Sequence, residues 1–162
     1  MSLIEKLAKW FSKARRVVIV GVGNSLRRDD NIGVEIVSGL EGRVSKSFFL
    51  IKSETMPENF IGSIIEFKPT HILIIDAALL NLSPGTAKFV KSIKVSKVTI
   101  STHTLPIKIF CEYLTMMTSA KIAMLLIQPQ DVSFGDGLIH ELAVAGRKIV
   151  NHLINIIESV VD

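Results

Sequence analysis

The chain has 162 residues and a mass of 17.8 kDa, the size of one domain at roughly 100–200 residues each. Such a domain buries about 70 % of its unfolded surface and needs no disulfide or structural zinc to hold together. Its single cysteine, Cys111, excludes an internal disulfide and suits a reducing compartment. Hydrophobic residues make up 48 % and mean hydropathy is +0.44, which raises the question of a membrane span. The apolar runs Val17–Val20, Ile72–Ile75 and Ala123–Ile127 fall far short of the 18 or so residues a spanning helix needs. Met1–Leu7 mixes Glu5 with Lys6 and is no signal peptide. The net charge of +4 bears on solubility more than on partners.

In chain order, Leu3, Ile4, Leu7, Trp10 and Phe11 fall at helical spacing with lysines between them, so residues 3–14 are predicted as an amphipathic helix. Arg15 and Arg16 are expected in its last turn. Val17–Val20 reads as a strand buried on both faces, broken by Gly21-Val22-Gly23-Asn24. A helical pattern runs from Asp30 to Leu40 and closes at Gly42. Ser47–Lys52 reads as a strand, Pro57–Phe67 as a helix ended by Pro69, and His71–Asp76 as a second apolar strand ending in a carboxylate. After the turn at Asn81–Gly85, Ala87–Ile93 is expected as a half-exposed strand. Leu105–Thr118 is expected as a helix, Ile122–Ile127 as a third apolar strand, and residues 137–160 as a long closing helix. Strands alternating with helices imply βαβ units and a largely parallel sheet covered on both faces. Ligands then bind beyond the carboxyl ends of the strands, which selects Gly21–Asp30, Asp76–Leu80 and the loop around Ser101–Leu105.

Gly21-Val22-Gly23-Asn24-Ser25-Leu26 resembles the start of a dinucleotide fingerprint, but Leu26 stands where the third glycine belongs and no acidic residue ends the second strand. A tight strand-to-helix turn, with Asn24 satisfying loop backbone, is the simpler account. Asp29 and Asp30 at a helix start are ordinary cap residues, and that reading suits Asp29 as well as a functional one. Asp76 follows four aliphatic residues at the mouth of the sheet. An unpaired charge is costly to bury there, so its carboxylate must be exposed in a cleft, paired or coordinated; capping the turn at Ala77-Ala78 is the bland alternative. His103 lies in the polar loop Ser101-Thr102-His103-Thr104-Leu105-Pro106. With Asp30 and Asp76 it would complete an Asp/Asp/His set of the kind that binds a divalent first-row metal with open positions. The spacings match no local metal motif, so only the fold could assemble it.

Other chemistries fail. There is no Gly-x-Ser-x-Gly elbow, and His140-Glu141 lacks the second histidine of a zincin helix. Cys111 sits between Phe110 and Glu112 as a packed residue. His71, His140 and His152 read as surface or packing positions. Lys88, Lys91, Lys94 and Lys97 read as a solvated face, with attraction of an acidic partner as the alternative, and the lack of interleaved aromatics argues against nucleic acid.

Taken together, these segments resemble the hydrogenase maturation endopeptidase family, which removes a C-terminal extension from the large subunit of nickel–iron hydrogenases. The resemblance rests on six pieces in order. They are Gly21–Asp30, Met56-Pro57-Glu58-Asn59, Ile74-Ile75-Asp76-Ala77, Asn81-Leu82-Ser83-Pro84-Gly85, Ser101–Pro106 and Ile127-Gln128-Pro129. The Pro-Glu-Asn and Ser-Thr-His-x-Leu-Pro pieces look most similar to the branch that processes formate-hydrogenlyase-type hydrogenases. The resemblance implies a three-layer α/β/α sandwich of the phosphorylase/hydrolase-like kind, around a five-stranded, mostly parallel twisted sheet with one antiparallel strand. It places the family's metal-binding and catalytic set on Asp30, Asp76 and His103, with Asn24, Asp29 and Thr104 as substrate contacts. Nickel, carried by the substrate rather than held permanently, is the implied recognition element. The implied partner is the large-subunit precursor, and the protein is expected to be a cytoplasmic monomer with no membrane insertion. Asn31 stands where the family usually has glycine, and residues 1–15 extend beyond its usual start.

Three mechanisms stay open: a grip on the substrate's nickel that orients the extension, a metal that polarises the carbonyl or activates water, and a carboxylate acting as general base on water. A rival reading is a non-catalytic nickel-binding chaperone or sensor that uses the same residues.

Overall fold

The computed structural model describes residues 1–91 and 107–160. Helix α1 (Leu3–Phe11) opens on a capping box, in which Ser2 Oγ accepts from the Glu5 amide and Glu5 returns the bond to the Ser2 amide. It stops before Arg15 and Arg16, so neither sits in its last turn. Instead Arg16 donates from Nε to the Phe67 carbonyl at 2.8 Å and stacks over the Phe67 ring at 3.9 Å. β1 (Val17–Val22) follows, buried at every position. A 3-10 turn (Arg28–Asn31) then leads into α2 (Ile32–Leu40), where the periodicity implies continuous helix from Asp30. β2 (Phe48–Glu54), a second 3-10 turn (Pro57–Phe60), α3 (Ile61–Phe67) and β3 (His71–Ala77) come next. β4 (Ala87–Lys91), α4 (Ile107–Met117), β5 (Lys121–Ile127) and α5 (His140–Val160) complete the described chain.

The five strands form one sheet in the order β2-β1-β3-β5-β4. β1, β2, β3 and β5 run parallel, while β4 pairs antiparallel with β5 at the edge. Every residue of β3 is buried, and fully burying a Val, Ile or Leu side chain contributes about 1.5–3 kcal/mol. Alternation sorts these side chains into two cores. Val17, Ile19, Leu73, Ile75, Ala123 and Leu125 pack under α1, α2 and α5. Val18, Val20, Ile72, Ile74, Met124 and Leu126 pack under Ile64 of α3 and Phe110, Cys111 and Leu114 of α4. Burial pushes the Cys111 thiol up to about 12, so it packs as a small apolar group. The apolar excess of the composition is thus absorbed by the sheet and its two covers. No helix among the described residues is long and apolar enough to cross a membrane.

The strand order fixes where a ligand can enter. From β1 the chain moves outward through α2 to β2. From β3 it moves the opposite way, toward β4 and β5. The connections diverge between β1 and β3, and that divergence opens a crevice at their carboxyl ends.

Candidate active site

Asp30 and Asp76 stand on either side of this divergence. Asp30 is in the 3-10 turn after β1 and Asp76 is the penultimate residue of β3. Both are fully buried, at 0 % exposure, so an exposed carboxylate in an open cleft is not what the fold builds. Each is held by backbone. Asp30 Oδ2 accepts from the Asn24 amide at 3.0 Å. Asp76 Oδ1 accepts from the Ala77 amide at 2.8 Å, the local cap that its position after a strand suggests. Asn24 also receives the Leu26 amide on Oδ1 at 2.9 Å, a turn closed on itself as expected for loop backbone.

Glycines bring the two halves together. A Cβ on Gly33, in the first turn of α2, would collide with the carbonyl oxygens of Ile75 and Val22. The helix therefore rests its first turn directly on the ends of β1 and β3. A Cβ on Gly23 would lie 2.5 Å from the Asp30 carbonyl and 2.7 Å from Asn31 Cα. Asn31, where the resembled family has glycine, has φ −85°. That backbone is open to any residue, so the departure introduces no strain.

Asp29, expected as a substrate contact, is engaged by backbone amides from a distant segment. It too is fully buried. Its Oδ2 accepts from the amides of Gln130 and Asp131, at 3.0 and 2.9 Å, and its Oδ1 from the Ile139 amide at 2.9 Å. The Asp29 carboxylate thereby fastens the segment after β5 to the segment after β1. Arg27 Nε adds a bond to the Val132 carbonyl at 3.0 Å, and Gly135 exchanges backbone bonds with Leu26 and Arg28. Arg28 itself is held at φ 44°, a left-handed conformation that a non-glycine residue adopts only at a penalty of about 1 kcal/mol or more. The same segment after β5 also secures the loop after β3. Gln128 Oε1 accepts from the Leu80 amide at 2.6 Å, and the Ile127 carbonyl accepts from Ala78 at 3.0 Å. Residues 127–139 are therefore one brace for both acid-bearing loops.

His103 and Thr104, and with them the third arm of the Asp/Asp/His set, lie outside the described residues, as do Lys94 and Lys97. Among the described residues no group of three or more His, Cys, Asp and Glu could hold a metal ion. What the structure supplies is two buried oxygen-donor side chains at one crevice, the ligand type that suits a hard or borderline divalent cation.

A sequence profile of the hydrogenase maturation protease family matches residues 34–158. The chain belongs to this family. It is 38 % identical over 162 residues to a candidate hydrogenase maturation protease of Methanocaldococcus jannaschii, covering 95 % of each chain. It is 29 % identical over 118 residues to the hydrogenase 3 maturation protease of Escherichia coli K12, covering 72 % of this chain and 75 % of that one. The crystal structure of a NiFe hydrogenase maturation protease, HycI, from Thermococcus kodakarensis superposes with a TM-score of 0.88. It is 26 % identical, and the match covers 94 % of this chain and 99 % of that one. The three-layer sandwich with one antiparallel strand is thus the fold of the hydrogenase maturation proteases.

Within this family member, sequence reasoning missed three features that build the site. Gly33 was hidden in a helix, although a glycine in a first turn flanked by Ile32 and Val34 is unfavourable by itself and signals a close approach. The Asp29 clamp joins residues about a hundred positions apart, which no local pattern reveals. Gln128 enters the sequence reading only through the strand end and the Ile127-Gln128-Pro129 piece, with no role of its own.

Proposed function

We propose that this protease removes the C-terminal extension of a nickel–iron hydrogenase large-subunit precursor after nickel insertion, and that Asp30, Asp76 and His103 recognise the nickel carried by that substrate. The observation that carries the reading is the placement of Asp30 and Asp76. Both are buried, both are backbone-anchored, and they flank the crevice between β1 and β3. The topology supports His103 as the third member. By strand alternation Asp76 shares the sheet face of Ile72 and Ile74, the face covered by α4. His103 precedes Ile107, the first residue of α4, by four positions. Ile107 packs in the same cluster as Ala78, just beyond Asp76, and four residues of chain reach up to about 14 Å.

Gripping the nickel fixes the extension relative to the crevice, so the gain is orientation, which lowers the barrier by making the encounter intramolecular. Hydrolysis breaks the peptide C–N bond, with the hydroxyl of a water joining the carbonyl carbon and its proton leaving with the amine. Cys111 is no rival nucleophile, because it is buried on the sheet-facing side of α4 with its thiol held protonated. The protein is read as cytoplasmic and monomeric.

The test is cleavage of purified precursor with and without nickel, followed by the mass lost from its C-terminus. The wild-type protein should cut the nickel-loaded precursor alone. His103→Ala should slow cleavage by about a hundredfold or more while leaving the melting temperature in place. Equal cutting of nickel-free precursor would refute nickel recognition. Nickel-dependent binding without any loss of the extension would favour the chaperone or sensor reading.

A further inference from the structure

We infer that Asp29 is a positioning residue for Asp30, acting through residues 130–139 of the brace; this rests on the reading of Asp30 as a residue that engages the substrate's nickel. The two neighbouring carboxylates are both fully buried, yet they are used differently. Both oxygens of Asp29 are taken by the backbone amides of Gln130, Asp131 and Ile139. That geometry leaves Asp29 aimed at the brace. Asp30, the next residue, is tied within its own loop to the Asn24 amide.

The backbone between them and the strand is not relaxed. Arg28 is left-handed at φ 44°, and such a conformation persists only where its surroundings over-determine it. Those surroundings are the brace: the Arg28 amide donates to the Gly135 carbonyl at 3.3 Å and the Asp29 amide to the Asp131 carbonyl at 3.0 Å. Arg27 Nε reaches the Val132 carbonyl. The Asp29 side chain collects amides from widely separated points of the brace, Gln130 and Asp131 on one side and Ile139 at its finish. Loosening it lets the 3-10 turn relax, and Asp30 shifts with it. A displacement on the order of 1 Å in such a group is enough for a hundredfold loss of rate.

The experiment compares Asp29→Asn, Asp29→Ala, Arg27→Ala and Asp76→Asn with the wild-type enzyme on nickel-loaded precursor. It reads kcat and KM separately, together with amide hydrogen exchange at Asn24, whose N–H reports the Asp30 bond. Asp29→Asn keeps one acceptor oxygen and should fold. Its kcat should fall by about tenfold or more with KM within about twofold, and the Asn24 amide should exchange faster by more than the drop in melting temperature accounts for. Asp29→Ala should fall further. A rise in KM at wild-type kcat would make Asp29 a substrate contact and overturn the inference. Wild-type kcat in Asp29→Asn, with Asp76→Asn inactive, would overturn this inference alone. Wild-type cleavage by Asp76→Asn would overturn the reading of the site as well. Should Asp29→Asn fail to fold, Arg27→Ala carries the test, since it removes only an exposed bond to the brace. A lower kcat at constant KM supports the positioning role, and an unchanged kcat refutes it.

Discussion

At its amino end β3 buries His71, and at its carboxyl end it buries Asp76. The first packs against an aromatic ring and a hydroxyl. The His71 ring meets Trp10 of α1 edge-on at 4.8 Å between centroids, and Nδ1 lies 3.0 Å from Thr70 Oγ1. Thr70 in turn receives the Arg15 and Arg16 amides on its hydroxyl, while its own amide donates to the Arg16 carbonyl. Burial, helped by Lys121 across the strand pair, holds the His71 pKa below its ordinary value; a bond to the Trp10 backbone opposes this in part. At the other end the loops are longer, the buried groups are carboxylates, and the chain diverges on either side of them. Burial of a titratable group is common to both ends. What singles out Asp76 is its place at the divergence of β1 and β3, opposite a second buried acid.

The largest expected effect tests that contrast directly. Asp76→Asn should lower kcat by about a hundredfold or more with little change in thermal stability. His71→Leu should leave cleavage of the folded protein near the wild-type rate. If His71→Leu abolished cleavage or Asp76→Asn retained it, the contrast between the two ends would collapse. Gly33→Ala comes next. Its methyl group must displace the Ile75 and Val22 carbonyls, so urea unfolding should show a loss of about 1–3 kcal/mol, accompanied by slower cleavage. Third is pH. The folded state holds His71 with a lowered pKa, so the unfolded chain binds more protons and stability rises with pH through this interval. The contribution is complete above the ordinary value of 6.5 and is lost as pH falls below it toward the folded value. Melting curves of His71→Leu between pH 7 and pH 5 should therefore be flatter than those of the wild type (about 6.5 being the point of departure). The smallest effect is Thr70→Val at the amino end, about 1 kcal/mol by denaturant titration, with cleavage unaffected.

The sheet was legible because β1, β3 and β5 are continuous apolar runs, which only strands covered on both faces require. Asp76 was conspicuous for the same reason, since a carboxylate directly after Ile75 stands out in so apolar a chain. The local backbone was less legible. The 3-10 turn at Arg28–Asn31 carries the same residue types as a helix start, and tertiary bonds to residues 131 and 135, not local preference, set its shape. α1 read correctly as amphipathic, but its end did not, because Arg16 is drawn to the Phe67 ring and carbonyl rather than to the helix terminus. The sequence reading separated Asp29 from Asp30, but the partners of the Asp29 carboxylate were not legible. Adjacent identical residues have the same propensities, and those partners come only with the return of the segment after β5.

The central claim is that Asp30, Asp76 and His103 engage the nickel of the substrate. Its most direct test is X-ray absorption at the nickel edge of a nickel-loaded precursor, made uncleavable at the scissile bond, before and after addition of the protease. The account predicts new oxygen and nitrogen scatterers at about 2.0–2.2 Å when the wild-type protein binds, with fewer when Asp76→Asn binds. A nickel environment unchanged by a wild-type protein that binds this precursor, and that cleaves the unmodified one, would contradict it.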